Sequence, residues 1–78
     1  MTNAEKYRET FITLFGVTKN ELQKLEYQGV DTWDSVGHMS LVARLEETFD
    51  IMMETDDIIE FSSFLKGIEI LRKYGVRL

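Results

Sequence analysis

Residues 32–50 have the sequence TWDSVGHMSLVARLEETFD, which predicts an amphipathic helix with a polar start. Asp34 and Ser35 come just before apolar residues that recur every three or four positions. These apolar residues, with Leu41 beside them, are Val36, Met39, Val42, Leu45 and Phe49. We therefore predict a helix over residues 35–50, with this stripe facing the core and Ser35 at the N-terminus near solvent.

The pair Asp34 and Ser35 has two interpretations. Both residue types are common helix N-caps, so capping alone accounts for the pair. A helix N-terminus also offers unpaired N–H groups and the positive end of the helix dipole, which favour an anionic group attached there. The reciprocal capping box is missing, because neither Gly37 nor His38 is a Glu or Gln.

A longer pattern around this pair resembles the acyl carrier protein family. The motif Asp34-Ser35-Val36 is similar to the Asp-Ser-Leu that opens the family's second helix, and the run LEETFDI at residues 45–51 is similar to the Leu-Glu-Glu-x-Phe that closes it. Acidic residues follow, and FSSF at residues 61–64 stands where the family has an apolar residue, a Thr pair and another apolar residue. The resemblance covers residues 30–75 and implies an all-α fold, a small four-helix bundle whose third helix is short.

The resemblance also implies a function. Ser35 would carry a 4′-phosphopantetheine arm attached by a phosphopantetheinyl transferase, and Asp34 would assist by holding the loop or by contributing to the transferase's metal site. The thiol of the arm would hold a cargo as a thioester. The protein would then be an acyl carrier rather than an enzyme. Its further partners would be an acyl-loading ligase or transferase and the synthases of fatty acid, polyketide or other specialised biosynthesis.

Several positions depart from the family pattern. Val36 replaces the usual Leu, and Gly37, His38 and Ser40 stand where fatty-acid-type carriers place acids. A tryptophan directly before the motif, here Trp33, resembles the sequences of specialised stand-alone carriers. We expect partner enzymes to dock on a surface made of Val36, Met39, Arg44, Glu46, Glu47 and Asp57, the last of these within an acidic run over residues 46–60 that alternatively forms an ordinary solvated face.

Three other functions are alternatives to an acyl carrier. An aminoacyl or peptidyl carrier of the D-alanyl type uses the same scaffold, and an unmodified helical interaction domain would keep the fold without the arm. A small enzyme is disfavoured: His38 lies three residues after Ser35, but no orienting carboxylate or oxyanion hole is evident, so we expect His38 to be exposed. Gly37 has a structural interpretation, a tolerated glycine, and a functional one, room for the arm or a partner enzyme.

Composition limits the possible partners. A net charge of −5 argues against nucleic acid binding and suits basic docking patches. The chain has no cysteine, and no apolar run long enough for a membrane span or a leader, so we expect a cytoplasmic protein without membrane insertion. Residues 59–65 are similar to the end of a calcium loop, but the closing Glu falls on Ser63, so no metal site is predicted.

The rest of the chain predicts three more helices in one domain, residues 1–78, with a monomer as the default. The first covers residues 1–16, capped at Thr2 or Asn3 and stopped by Gly16. The short third helix covers residues 55–60, and its Ile58 and Ile59 are expected to close the core. The last covers residues 62–75, after a Ser62 or Ser63 cap, with Phe64, Ile68 and Leu71 as its stripe and with Leu65 and Tyr74 broadening it.

Residues 17–34 form a connection that is long for so small a domain. A short helical turn at residues 19–25 would bring Leu22 and Leu25 into the core. Val30 and Trp33 would pin the end of the connection to the helices. For Trp33 we weigh packing in the core against contact with an arm on Ser35.

Overall fold

The computed structural model describes all 78 residues and contains four α-helices, one 3₁₀ helix and no β-strand. The α-helices are α1 (Asn3–Phe15), α2 (Ser35–Phe49), α3 (Thr55–Glu60) and α4 (Phe64–Lys73), and the 3₁₀ helix is Lys19–Lys24. The predicted all-α class is thereby confirmed. No helix in the structure combines the length and the apolarity that crossing a membrane requires.

Helix α1 begins and ends as its sequence predicts. The Thr2 hydroxyl accepts the Glu5 N–H at 3.1 Å, and the Glu5 carboxylate accepts the Thr2 N–H at 3.0 Å. These reciprocal bonds satisfy two donors that a bare helix end would leave unpaired. At the other end Gly16 takes a φ of 69°, and its N–H donates to the Ile12 carbonyl at 3.0 Å. A left-handed glycine is the common way to stop a helix.

The connection from α1 to α2 is held to the start of α4. Leu22 and Leu25 are buried at and just after the 3₁₀ helix, as predicted. The chain then runs alongside residues 62–64: the Leu25 carbonyl accepts the Phe64 N–H at 2.9 Å, and the Tyr27 N–H donates to the Ser62 carbonyl at 2.8 Å. These bonds give the connection a fixed path toward α2, although it forms no strand.

The buried face of α2 differs from the predicted stripe. Leu41, Val42 and Leu45 are buried, but Val36 is 75% exposed and Met39 is 55% exposed. The core-facing side continues from these three residues back to His38, because positions three and four apart share one face of a helix. The prediction counted only apolar residues and left out His38. It therefore placed Val36 and Met39 on the buried face in the first turn of α2, where the structure has His38.

Helices α3 and α4 also keep their predicted places but bury different residues. Ile58 packs against the core, whereas Ile59 is 72% exposed, so the expectation that both isoleucines close the core is wrong for Ile59. The Ser63 hydroxyl caps α4 by accepting the Lys66 N–H at 2.9 Å. On α4 the buried side chains are Phe64, Ile70 and Leu71, while Ile68 and Tyr74 are half-buried and Leu65 is exposed.

Aromatic side chains form the centre of the core. They are Tyr7, Phe11, Phe15, Trp33, Phe61 and Phe64, all buried. The Trp33 ring stacks on Phe15 with a centroid distance of 5.1 Å and an interplanar angle of 12°, and it meets Phe11 edge-on at 5.5 Å. With 0% of its surface exposed, Trp33 packs in the core and does not reach toward a group on Ser35.

Candidate functional site

The Ser35 hydroxyl is exposed at the first residue of α2 and is not used as the helix cap. Asp34 is the cap: its carboxylate accepts the Gly37 N–H at 2.8 Å, and its carbonyl accepts the His38 N–H at 2.7 Å. The capping interpretation therefore belongs to Asp34 alone. Ser35 stands at the predicted position near solvent, with its oxygen available for chemistry.

Ser35 has one side-chain partner, which the sequence did not predict. The Tyr27 hydroxyl lies 3.2 Å from Ser35 Oγ. Tyr27 comes from the middle of the connection, a polar segment with no periodic pattern to mark it. Its position depends on the pairing of residues 25–27 with residues 62–64, which joins parts of the chain that are far apart in sequence.

An apolar groove opens beside Ser35. It encloses a volume of about 360 Å³ between α2 and α3. The lining residues are Ser35, His38 and Met39 of α2, Ile58 and Ile59 of α3, and Tyr27, Phe61 and Ser62. Ile59 was expected to face the core, and Met39 was expected both in the core-facing stripe and on the docking surface. Both are exposed and form part of this groove.

His38 is held between aromatic rings and is not a solvated surface histidine, so that expectation is wrong. Its Nδ1 accepts the Trp33 indole N–H at 2.9 Å, and its Nε2 lies 2.8 Å from the Ile58 carbonyl. Because Nδ1 accepts, Nε2 carries the proton and donates to that carbonyl. Both ring nitrogens are thus occupied, and the imidazole links α2 to α3 instead of acting as a base for Ser35.

The small size of Gly37 serves internal packing. A Cβ at this position would overlap the backbone carbonyl oxygen of Thr32 and would lie 3.2 Å from Cε1 of Phe15. The Thr32 hydroxyl in turn donates to the Phe15 carbonyl at 2.8 Å. Gly37 therefore lets the end of α1, the loop and the first turn of α2 approach closely. The interpretation that it leaves room for an arm or a partner is not needed.

The expected docking residues do not form one exposed surface. Val36, Met39, Arg44 and Glu47 are exposed on α2. Glu46 is half-buried, and its carboxylate accepts the Met53 N–H at 2.9 Å, which fixes the loop before α3.

Asp57 is buried with 8% of its surface exposed, so it is not a free docking acid. Its two carboxylate oxygens accept hydrogen bonds from Lys73 Nζ at 2.6 Å and from the Tyr74 hydroxyl at 2.5 Å. The Tyr74 oxygen also accepts the Glu54 N–H at 2.9 Å. The bonds to its carboxylate hold the pKa of Asp57 below its usual value of 3.8. The bond from Lys73 contributes most to this lowering, and the bond from Tyr74 contributes next. The cluster ties α3 and the loop before it to the end of α4.

Asp57→Asn should make the protein less sensitive to acid. A carboxyl group with a lowered folded-state pKa contributes stability above its ordinary value of 3.8, and this contribution disappears as the pH falls through the lower folded-state pKa. The difference in Tm between parent and variant should therefore be greatest near neutral pH and shrink below about pH 4. Thermal unfolding between pH 7 and about pH 2 measures this, with exposed Asp56→Asn as the control. A gap that stays constant down to the lowest pH would contradict the role of Asp57.

No three His, Asp or Glu side chains are grouped so that they could hold a metal ion. No protein-family model matches the chain, and a search of curated proteins finds no relative. The chain itself offers three features that bear on function: an exposed serine hydroxyl at a helix start, a tyrosine hydroxyl bonded to it, and an apolar groove that both of them line.

Proposed function

We propose that this protein is an acyl carrier that holds its cargo as a thioester on a 4′-phosphopantetheine arm attached to Ser35. The observation that carries the proposal is the exposed Ser35 hydroxyl on the wall of an apolar groove, which caps no backbone N–H and has the Tyr27 hydroxyl as its one side-chain partner. A serine whose only task was to cap α2 would accept a backbone N–H, and here Asp34 does so. The sequence similarity around residues 34–51 supports the same assignment.

The residues around Ser35 fit such an arm. A phosphodiester on Oγ would lie at the N-terminal end of α2, where the helix dipole favours negative charge. Asp34 fixes this turn through its bond to Gly37, which accords with a role in holding the loop for the transferase. The arm would supply a terminal thiol that takes an acyl group from an activated donor, such as an acyl adenylate made by the loading ligase, with adenosine monophosphate as the leaving group.

Attachment of the arm balances with coenzyme A as the donor. Ser35 Oγ forms a bond to the phosphorus that carries the pantetheine, and the pyrophosphate bond of coenzyme A breaks. The 3′,5′-ADP leaves, and the hydroxyl proton passes to a base of the transferase. The protein supplies only the nucleophilic oxygen, because both nitrogens of His38 are already hydrogen-bonded.

The groove favours an apolar acyl cargo over an aminoacyl one. Met39, Ile58, Ile59 and Phe61 supply most of its wall, and methionine adapts to cargoes of different shape. An aminoacyl group carries an ammonium, which is costly to remove from water without a partner. No acidic side chain lines this groove.

Partner enzymes would approach along α2. A transferase, an acyl-loading ligase or transferase, and downstream synthases must each reach Ser35. Val36, Met39, Arg44 and Glu47 are the exposed side chains of this helix that would meet them. Exposed apolar residues beside charged ones are the usual composition of such contact surfaces, and the net charge of −5 would favour basic partners.

The test is the intact mass after incubation with coenzyme A, magnesium and phosphopantetheinyl transferases of broad specificity. The parent should gain one phosphopantetheine, and Ser35→Ala should gain none. Ser40→Ala is the matched control, because it removes an exposed serine hydroxyl from the same helix and should leave the gain intact.

Failure would have a clear meaning. If folded parent protein gains nothing from several unrelated transferases, or if Ser35→Ala is still modified, the proposal is wrong. An unmodified helical interaction domain would then be the better description of the same fold.

A further inference from the structure

We infer that Tyr27 is a positioning residue for the arm on Ser35, an inference that rests on the proposed carrier function. Its phenolic hydroxyl orients Ser35 Oγ in the unmodified protein. After modification it donates to an oxygen of the phosphodiester and holds the first part of the arm along the groove.

Tyr27 is fixed before any arm is attached. Its backbone N–H donates to the Ser62 carbonyl at 2.8 Å, and the neighbouring Glu26 forms a bridge with Ser63. Its ring meets His38 edge-on with a centroid distance of 5.3 Å, and meets Trp33 edge-on at 6.4 Å. The backbone and the ring are both held, so the direction of the hydroxyl is determined by the fold.

No other side chain hydrogen-bonds Ser35 Oγ. Asp34 uses its carboxylate on the Gly37 N–H, and His38 uses both ring nitrogens on Trp33 and Ile58. The Tyr27 hydroxyl, 3.2 Å away, is therefore the single side-chain donor in position for a group on this oxygen.

Modification would strengthen this contact. In the unmodified protein either hydroxyl can donate to the other. Once Ser35 is esterified to phosphate it has no proton to give, so Tyr27 becomes the donor and an oxygen of the phosphodiester becomes the acceptor. Hydrogen bonds to an ionised acceptor are roughly twice as strong as neutral ones.

The position of Tyr27 would also direct the arm toward the apolar groove. Tyr27 and Ser35 both line the groove, together with Met39 and Ile58. A phosphodiester held between the Tyr27 hydroxyl and the start of α2 would lie beside the apolar wall. The pantetheine chain would thus begin at the groove and not in open solvent.

The test is Tyr27→Phe, which removes the hydroxyl and keeps the ring in its contacts with His38 and Trp33. We expect three changes in the variant: a lower kcat for arm transfer at little changed KM, a displaced ³¹P resonance in the modified protein, and faster reaction of the arm's thiol with a soluble disulfide. For the rates, a two- to fivefold change is roughly the effect of one exposed hydrogen bond. Only the last two depend on the arm being present, and none requires a cargo.

Tyr74→Phe is the matched control. It also removes one phenolic hydroxyl, but this one bonds Asp57 on another part of the molecule. It should change Tm and leave the ³¹P resonance and the thiol rate as in the parent.

The outcomes separate this inference from the function on which it rests. A parent that takes up no phosphopantetheine would overturn both. A modified parent with a Tyr27→Phe variant of identical ³¹P resonance and thiol rate would overturn the role of Tyr27 and leave the carrier function standing. A variant that changes only Tm would show that Tyr27 is structural.

Discussion

Replacing Trp33 with alanine is expected to lower the free energy of unfolding by about 3–5 kcal/mol, the usual cost of truncating a buried large aromatic. The indole is completely buried, stacks on Phe15 and meets Phe11 edge-on. Its N–H also donates to His38, so the substitution would leave the imidazole without a donor. A domain of this length has a total stability of about 4–12 kcal/mol, so the loss would remove a large share of it.

Urea unfolding followed by far-ultraviolet circular dichroism measures this loss, since the variant has no tryptophan to follow. Met52→Ala is the control: this side chain is 83% exposed, and its removal should change the stability by less than about 0.5 kcal/mol. A Trp33→Ala variant that loses less than about 1 kcal/mol would mean that the loop packs more loosely on the helices than the structure shows.

Gly37→Ala should destabilise the protein, although helix propensity alone predicts the opposite sign. Alanine is favoured over glycine in a helix interior by about 1 kcal/mol. Here the added Cβ would overlap the Thr32 carbonyl oxygen, which belongs to the backbone and cannot rotate away. Forcing extra atoms into a closely packed position costs about 1–3 kcal/mol, so we expect a net loss.

Ser40→Ala separates the two effects, because it changes an exposed position of the same helix and should be neutral or slightly stabilising. The stabilities of the variants are compared by their urea unfolding midpoints, provided that the m-value is unchanged. A stabilised Gly37→Ala protein would show that α2 can shift away from residue 32. The same shift would move Ser35 relative to Tyr27, so the rate of arm transfer to this variant is worth recording.

Local signals in the sequence predicted the helices well. Thr2, Gly16 and Ser63 cap or stop their helices through bonds to residues three or four positions away, and such bonds depend little on the rest of the chain. The short helix over residues 55–60 and the buried Leu22 and Leu25 follow from spacing in the same way.

Burial on α2 and α3 could not be predicted from spacing, because it depends on distant partners. His38 can pack against the core because the Trp33 indole and the Ile58 carbonyl form hydrogen bonds with its two ring nitrogens. Asp57 can be buried because its carboxylate accepts hydrogen bonds from Lys73, at the end of α4, and from Tyr74, just after that helix. A polar residue whose hydrogen-bonding atoms all have partners can be buried in a position where the spacing predicts an apolar one.

The candidate site was predicted in part. Asp34 and Ser35 were found from their place before an amphipathic segment. Tyr27, Phe61 and Ser62 were not assigned to the site, because they come together only through pairing between the connection and the start of α4.

The bond between Trp33 and His38 gives the molecule its own optical reporter. Trp33 is the single tryptophan of the chain, and its indole N–H is hydrogen-bonded to a ring that lines the groove. Indole emission responds to a change in that bond. Whatever enters the groove and displaces His38 would therefore change the fluorescence of a completely buried residue, so occupancy can be followed without attaching a dye.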